Sequence, residues 1–88
     1  DVGCGSGRFL RRLAAEFPQV KLLGIDPSAA LLEHLPPEIT KIPGSLLDIP
    51  AVDGAFAGVF SVEALEHSLF PATGVSELCR VTRPGGQI

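Results

Sequence analysis

The stretch DVGCGSG occupies residues 1–7, and the mainly apolar run VKLLGID follows at residues 20–26. A glycine-rich turn between a strand and a helix lets the backbone approach a ligand closely. A carboxylate at the end of the next strand can accept hydrogen bonds from both hydroxyls of a ribose. We therefore interpret the two segments as half of a nucleoside-binding site, with Gly5 in the turn and Asp26 at the strand end.

Apolar periodicity divides the rest of the chain into alternating helices and strands. Helices are predicted over residues 8–17, 28–35 and 71–81, and strands over residues 20–26, 39–42 and 56–62. A loop is predicted over residues 44–54 and a turn over residues 84–86. The residues predicted to face the sheet are Phe9, Leu10, Leu13, Ala14, Phe17, Leu31, Leu32, Leu35, Val75, Leu78 and Cys79.

This alternation is typical of right-handed βαβ units. We predict an α/β fold with a Rossmann-like, doubly wound, mostly parallel sheet and flanking helices. Residue 1 already lies inside a motif, and a new strand should begin at residues 87–88. Residues 1–88 are therefore expected to be a partial domain, truncated at both ends.

Composition excludes several classes of partner. The net charge is −3 and the seven basic residues are dispersed, so neither nucleic-acid nor membrane binding is indicated. Cys4 and Cys79 are isolated and lack a metal-ligand pattern, which predicts no metal site. Their positions favour reduced thiols and a cytoplasmic protein.

Four ordered segments together resemble the class I S-adenosylmethionine (SAM)-dependent methyltransferases. Residues 1–7 resemble the first motif of that family, and residues 24–28 (GIDPS) resemble its ribose motif. Residues 56–67 (FAGVFSVEALEH) resemble its fourth strand and the segment after it, and residues 80–86 (RVTRPGG) the turn before its fifth. The resemblance covers essentially the whole chain and implies the SAM-binding portion of a type 11-like enzyme, with SAM as cofactor and a small-molecule methyl acceptor.

The resemblance also implies a role for individual residues. The glycine turn would hold the methionine moiety of SAM, with Asp26 on the ribose and Pro27 as an apolar surface near the adenine. The Ser45 side chain and the Leu46 N–H would recognise the adenine, and the backbone carbonyls of Ser61 and Val62 would accept from the ligand ammonium. The turn residues assigned to the cofactor are Asp1, Gly3, Cys4, Gly5 and Gly7.

The chain departs from the family pattern at two positions. Ser45 and Ala57 stand where relatives often have Asp, and Ser accepts less strongly than a carboxylate. Asp48 is an alternative acceptor for the adenine amino group. These departures keep open a second interpretation, a SAM-binding domain without catalytic activity.

No catalytic residue is implied by the pattern, because methyl transfer from a sulfonium mainly requires alignment of donor and acceptor. His67 is a weak candidate for a general base, since a free imidazole titrates near neutrality. A structural role is the more usual interpretation for His67. Glu63 and Glu66 are expected beside it, where they would line the entrance to the cofactor site or cap the next helix. His34 is expected at an exposed helix end.

Simpler interpretations exist for each motif. The glycines can form a merely tight turn, an Asp before Pro is often a cap residue, and residues 44–54 can be a plain loop. Another nucleotide-binding enzyme, such as an NAD-dependent oxidoreductase, is the remaining alternative. A dinucleotide fingerprint expects Gly or Ala at position 8, where this chain has Arg8. The Arg8 side chain is expected to crowd a close helix–strand contact, which counts against NAD or FAD binding.

Overall fold

The computed structural model describes residues 1–62 and 64–88, and its elements follow the predicted alternation. In chain order they are α1 (Arg8–Glu16), β1 (Leu23–Asp26), α2 (Ala29–Leu32), β2 (Thr40–Pro43), β3 (Phe56–Gly58), a 3-10 turn (Leu65–His67), α3 (Pro71–Val81) and β4 (Thr82–Gln87). Pro18 and Pro36 follow the ends of α1 and α2, where proline disfavours further helix. The prediction of an α/β fold with parallel strands is confirmed.

The strands form two parallel pairs that the start of the chain connects. β1 pairs with β2, and β3 pairs with β4. Ile25 N–H donates to the Asp1 carbonyl at 2.9 Å, and Val2 N–H donates to the Phe60 carbonyl at 2.9 Å. Residues 1–2 therefore lie between β1 and the strand that continues from β3, and the glycine turn emerges at the carboxyl ends of both.

Helices cover both faces of this arrangement, as a doubly wound fold requires. On one face, α3 contributes to a buried cluster of Val2, Ile25, Ile49, Val59, Leu78 and Val81. On the other face, α1 and α2 contribute to a cluster of Cys4, Leu10, Leu32, Leu35 and Ile39. Burying a Leu or Ile side chain contributes about 1.5–3 kcal/mol, so these clusters are the main source of stability.

The predicted helix faces are partly wrong. Phe9 and Phe17 are 45% and 46% exposed, and Leu31 is 41% exposed, although all three were expected to pack inward. Short helices bury only a narrow stripe, which in α1 centres on Leu10. A residue one position away from such a stripe is rotated by about 100° and faces solvent.

The same reason explains the error in α3. Val75 is 48% exposed and Cys79 is exposed, while Gly74, Leu78 and Val81 form the buried stripe. Gly74 lies inside because the neighbouring Leu46 and Leu65 side chains occupy the space beside its Cα. The sequence pattern favoured the larger apolar side chains and missed this glycine.

Element boundaries also differ from prediction. The turn expected over residues 84–86 lies within β4, where Phe56 pairs with Thr82 but Gly58 pairs with Gln87. The additional residues of β4 form a bulge in which Gly85 has a φ of +81°. β1 and α2 are shorter than predicted. β3 ends at Gly58, before the predicted end at residue 62, although Val59 N–H still donates to the Gln87 carbonyl at 2.9 Å.

Within residues 1–62 and 64–88, no helix combines the length and apolar character needed to cross a membrane.

Candidate functional site

The candidate site lies where the carboxyl ends of the parallel strands meet. Asp26 ends β1 and pairs with Pro43 at the end of β2. Gly44 N–H donates to the Asp26 carbonyl at 3.1 Å, so the loop that carries Ser45 starts directly beside Asp26. Ser61 Oγ donates to the Val2 carbonyl at 2.8 Å, which brings the segment that follows β3 to the same edge. The topology thus brings the predicted residues together at the carboxyl edge of the sheet, where the strand order of a doubly wound fold reverses.

The glycine turn is held by backbone hydrogen bonds. Gly3 N–H and Cys4 N–H both donate to the Ile25 carbonyl, at 2.7 and 3.1 Å, and Gly7 N–H donates to the Cys4 carbonyl at 3.0 Å. α1 begins immediately afterwards at Arg8. The turn therefore has a fixed path from residue 2 to the helix.

The three glycines of the turn serve different purposes. A Cβ on Gly3 would lie 2.7 Å from the Ala64 Cβ, and a Cβ on Gly7 would overlap the Leu35 side chain. A Cβ on Gly5 would meet none of the described residues within 4 Å. All three glycines have a positive φ, which favours glycine at each position. Packing is a further reason at Gly3 and Gly7, whereas Gly5 borders open space that a ligand can occupy.

This arrangement corrects the steric argument about Arg8. Residue 8 is exposed, and the close helix contact occurs instead at the buried Gly7. The prediction that an Arg8 side chain would crowd a helix–strand contact is wrong in detail. The position of close packing is still one residue earlier than the dinucleotide fingerprint requires.

Asp26 connects the glycine turn to the start of α2. Its side chain accepts from Gly5 N–H through Oδ2 and from Ser28 N–H through Oδ1, each at 2.9 Å. Ser28 in turn caps α2 by accepting from Leu31 N–H at 3.3 Å. Asp26 therefore also acts as a cap residue at the start of α2, as an Asp before Pro often does. The bond to Gly5 spans 21 residues, and no local pattern predicted it.

The Asp26 carboxylate still has acceptor capacity. An ionised carboxylate offers about four lone-pair sites, and the two backbone bonds use one on each oxygen. The residue is 8% exposed, so its remaining sites are directed by the fold and not by free rotation in solvent. Hydroxyl groups of a ribose are suitable donors for them.

Asp1 presents an unsatisfied acceptor. Its Oδ1 atom is buried and has no hydrogen-bond partner in the part of the chain that the structure describes. A buried carboxylate oxygen without a donor costs free energy, and a ligand that supplied a cation or an N–H group would satisfy it. The ammonium-bearing end of SAM has this chemistry, and on this observation the residues present fit the cofactor.

Cys4 and Pro27 flank the site in different ways. The Cys4 side chain packs into the cluster on the α1 face, so only its backbone belongs to the turn. Burial raises the pKa of the Cys4 thiol, and the nearby Asp26 carboxylate raises it further. Pro27 is exposed next to Asp26. Both cysteines are free thiols, and the described residues contain no group of three or more potential metal ligands.

Ser45 and Leu46 lie in a tight turn. Ser45 Oγ accepts from Leu47 N–H at 3.0 Å, and Asp48 N–H donates to the Ser45 carbonyl at 3.1 Å. The Ser45 hydroxyl retains a second lone pair as an acceptor and its proton as a donor. Asp48 is exposed at the far end of the turn.

The candidate site residues that follow β3 lie toward solvent. Ser61 is half-buried, whereas Val62 is exposed. His67 lies on the exposed 3-10 turn, with its Nε2 atom 4.0 Å from the Glu66 carboxylate. Glu63, expected near the entrance, lies outside the described residues. The geometry gives His67 no contact with the glycine turn among the described hydrogen bonds.

Comparison with known proteins agrees with this geometry. A family profile described as "Methyltransferase domain" matches residues 1–88. The chain is 37% identical over 97 residues to a tocopherol O-methyltransferase of Arabidopsis thaliana, and 30% identical over 96 residues to a tRNA U34 carboxymethyltransferase of Syntrophotalea carbinolica. Each match covers 100% of this chain but only 28% and 29% of those proteins.

Among solved structures, the chain is similar to the [4+2]-cyclase SpnF. The TM-score is 0.88 with 25% identity over 98% of this chain and 35% of that one. This similarity confirms the Rossmann-like fold. With the family profile matching from the first residue to the last, the chain belongs to the class I SAM-dependent methyltransferase family.

Proposed function

We propose that the full-length protein transfers a methyl group from SAM to an acceptor, and that residues 1–88 supply most of the cofactor site. The observation that carries this proposal is the hydrogen bond from Gly5 N–H to Asp26 Oδ2 at 2.9 Å. It joins the two segments that would contact the methionine and ribose moieties. A merely tight turn does not require a carboxylate from the next strand.

Each predicted residue then has a defined task. Asp1 attracts the ammonium group through its unpaired Oδ1, and the open space beside Gly5 admits the methionine chain. Asp26 accepts from the ribose hydroxyls, and the turn at Ser45 and Leu46 borders the adenine beside Pro27. The carbonyls of Ser61 and Val62 complete the ammonium site.

The bound cofactor supplies an activated methyl group on a sulfonium. The protein's own contribution is to orient that group and exclude water.

A small-molecule acceptor is the second part of the proposal. The net charge of −3 and the dispersed basic residues favour a small substrate over a polyanion. The names of the relatives include both tocopherol and tRNA as substrates, so the family alone does not decide between these classes. The isolated cysteines support a cytoplasmic location for the protein.

We also propose that residues 1–88 are one part of a larger domain. A cavity of about 440 Å³ separates the strand before Asp26 from the strand that begins at Phe56. Its lining is mainly apolar and includes Val2, Ile25 and Val59. An additional strand in this cavity would cover these side chains and join the two pairs of strands into one sheet.

A non-catalytic SAM-binding domain, without methyl transfer, is the competing proposal. The [4+2]-cyclase SpnF has the same fold, which illustrates that this fold is not restricted to methyl transfer. Ser45 and Ala57, which replace frequent acidic residues, are the features of this chain that favour it.

Calorimetric titration of the full-length protein with SAM, S-adenosylhomocysteine (SAH) and NAD tests cofactor binding. We expect SAM and SAH to bind and NAD not to bind. Binding of NAD without SAM would overturn the proposal. Transfer of a radiolabelled methyl group, assayed separately with small-molecule extracts and with tRNA, then distinguishes the acceptor classes. SAM binding without transfer to either would favour the competing proposal.

A further inference from the structure

Arg80, near the end of α3, is the centre of the largest side-chain hydrogen-bond network in the described chain. Its guanidinium donates to the Ile49 carbonyl and the Ala51 carbonyl, each at 2.8 Å, and to Asp53 Oδ1 at 2.9 Å. It also donates to both carboxylate oxygens of Glu77, one helical turn earlier. One residue of α3 thus holds three positions of the loop between β2 and β3.

Glu77 contributes a bond of its own to the same loop. Its Oε1 atom accepts from Ile49 N–H at 3.0 Å, so both backbone polar groups of Ile49 are bound by the Arg80–Glu77 pair. The Glu77 side chain is only 14% exposed. The hydrogen bond from Arg80 lowers the pKa of Glu77.

The loop held in this way also carries the turn assigned to adenine. Ser45 and Leu46 lie just after β2, separated from it by Gly44, and the turn closes at Asp48, one residue before Ile49. The upstream end is fixed by the bond from Gly44 N–H to the Asp26 carbonyl. The downstream end is fixed by Glu77 and Arg80, so the turn is held between the ribose-site strand and α3.

This inference rests on the proposed function. We propose that Arg80 and Glu77 are positioning residues for adenine recognition, because they hold the loop that places Ser45 and the Leu46 N–H beside the cofactor site. Neither residue is assigned a contact with the cofactor. Recognition by a single hydroxyl and a backbone N–H depends on the position of the turn more than recognition by a long charged side chain would.

Arginine is specifically suited to this task. Its planar guanidinium directs several donors at fixed angles and can bind two carbonyls and a carboxylate at once. A lysine retains the charge but presents a compact ammonium with a different donor geometry. Arg80→Lys should therefore restore part of the stability of the loop without restoring its geometry.

The test compares two ligands that differ only in the base. SAH carries adenine, and S-inosylhomocysteine carries hypoxanthine in its place. Their affinities are measured by calorimetry for the full-length wild-type protein and its Arg80→Leu and Arg80→Lys variants. Arg12→Leu is the matched control, since it removes an arginine from an exposed ion pair with Glu16 on α1.

We expect Arg80→Leu to weaken SAH binding by about tenfold, within the range of coupling between neighbouring residues. Its effect on S-inosylhomocysteine should be smaller, so the preference for adenine falls. Arg80→Lys should also reduce that preference, and Arg12→Leu should leave it unchanged. An equal loss for both ligands would mean that Arg80 acts only on stability, and this result would overturn the proposal, as would unchanged affinities.

A milder variant keeps the test decisive if Arg80→Leu does not fold. Glu77→Gln retains an acceptor oxygen but removes the charge that Arg80 binds, and it should reduce the adenine preference in the same direction. An unchanged preference in folded Glu77→Gln would contradict the inference. Failure of the wild type to bind SAH at all would instead overturn the proposed function, so the two failures are distinguishable.

Discussion

Replacing Asp26 should affect both the fold and the cofactor site, because its carboxylate already binds two backbone groups. Asp26→Ala leaves Gly5 N–H and Ser28 N–H without their acceptor. Hydrogen bonds to a charged group contribute about 1.5–3 kcal/mol each. The loss of two should lower the free energy of unfolding by about 3 kcal/mol or more. Asp26→Asn keeps one acceptor oxygen and should lose about half as much.

The effect on ligand binding is expected to be separate and additional. Loss of the charge-assisted bonds to two ribose hydroxyls should weaken SAM binding by about 2–3 kcal/mol. At about 1.4 kcal/mol for each factor of ten, this corresponds to roughly 30- to 150-fold in Kd. Relaxation of the glycine turn in the variant would add to this loss.

Two measurements on the full-length protein separate these effects. Denaturant unfolding gives the change in stability, and calorimetric titration under strongly native conditions gives SAM affinity in the folded population. Glu38→Gln is a suitable control, since it removes an exposed carboxylate elsewhere on the chain.

Each possible result tests a different contact of Asp26. Unchanged SAM affinity in folded Asp26→Ala would show that the ribose assignment is wrong. An unchanged unfolding midpoint would show that the two backbone bonds contribute nothing measurable. If Asp26→Asn and Asp26→Ala lowered the free energy of unfolding equally, the bonds to the Asp26 carboxylate would not be the cause of the loss.

Three further predictions concern the turn, the loop and the segment as a whole. Gly5→Ala should weaken SAM binding more than it lowers stability, whereas Gly7→Ala should mainly destabilise the protein by overlap with Leu35. Titration and denaturant unfolding measure the two effects, and a larger loss of SAM affinity in Gly7→Ala than in Gly5→Ala would contradict the assignment. Because the pKa of Glu77 is lowered from 4.5 in the folded state, its stabilising effect is present above that pH and is lost as the pH falls through the folded value. Glu77→Gln should therefore destabilise the protein at pH 7 and differ less from wild type at pH 3; a pH-independent difference in unfolding free energy would refute this. The isolated 88-residue segment should melt broadly and show no methyl transfer, and sharp two-state unfolding with a midpoint raised by SAM would show a self-sufficient domain.

Sequence alone determined the order of the elements and the place of the candidate residues at one edge of the sheet. The glycine turn, the carboxylate of Asp26 and the proline stops are local features, and each acts through the conformation of a few neighbouring residues. Parallel pairing followed from the alternation of helices and strands. The residues expected at one edge of the sheet lie there because the carboxyl ends of parallel strands meet at that edge.

Only the tertiary structure decided which side chains are buried and what each glycine is for. The inward stripe of α3 contains Gly74 in place of Val75, because Leu46 from the loop after β2 and Leu65 from the preceding 3-10 turn pack against that helix. The bond from Gly5 to Asp26 and the network around Arg80 join residues more than 20 positions apart. Such contacts depend on how complete elements pack against each other, and a periodic pattern within one element contains no information about its neighbour's shape.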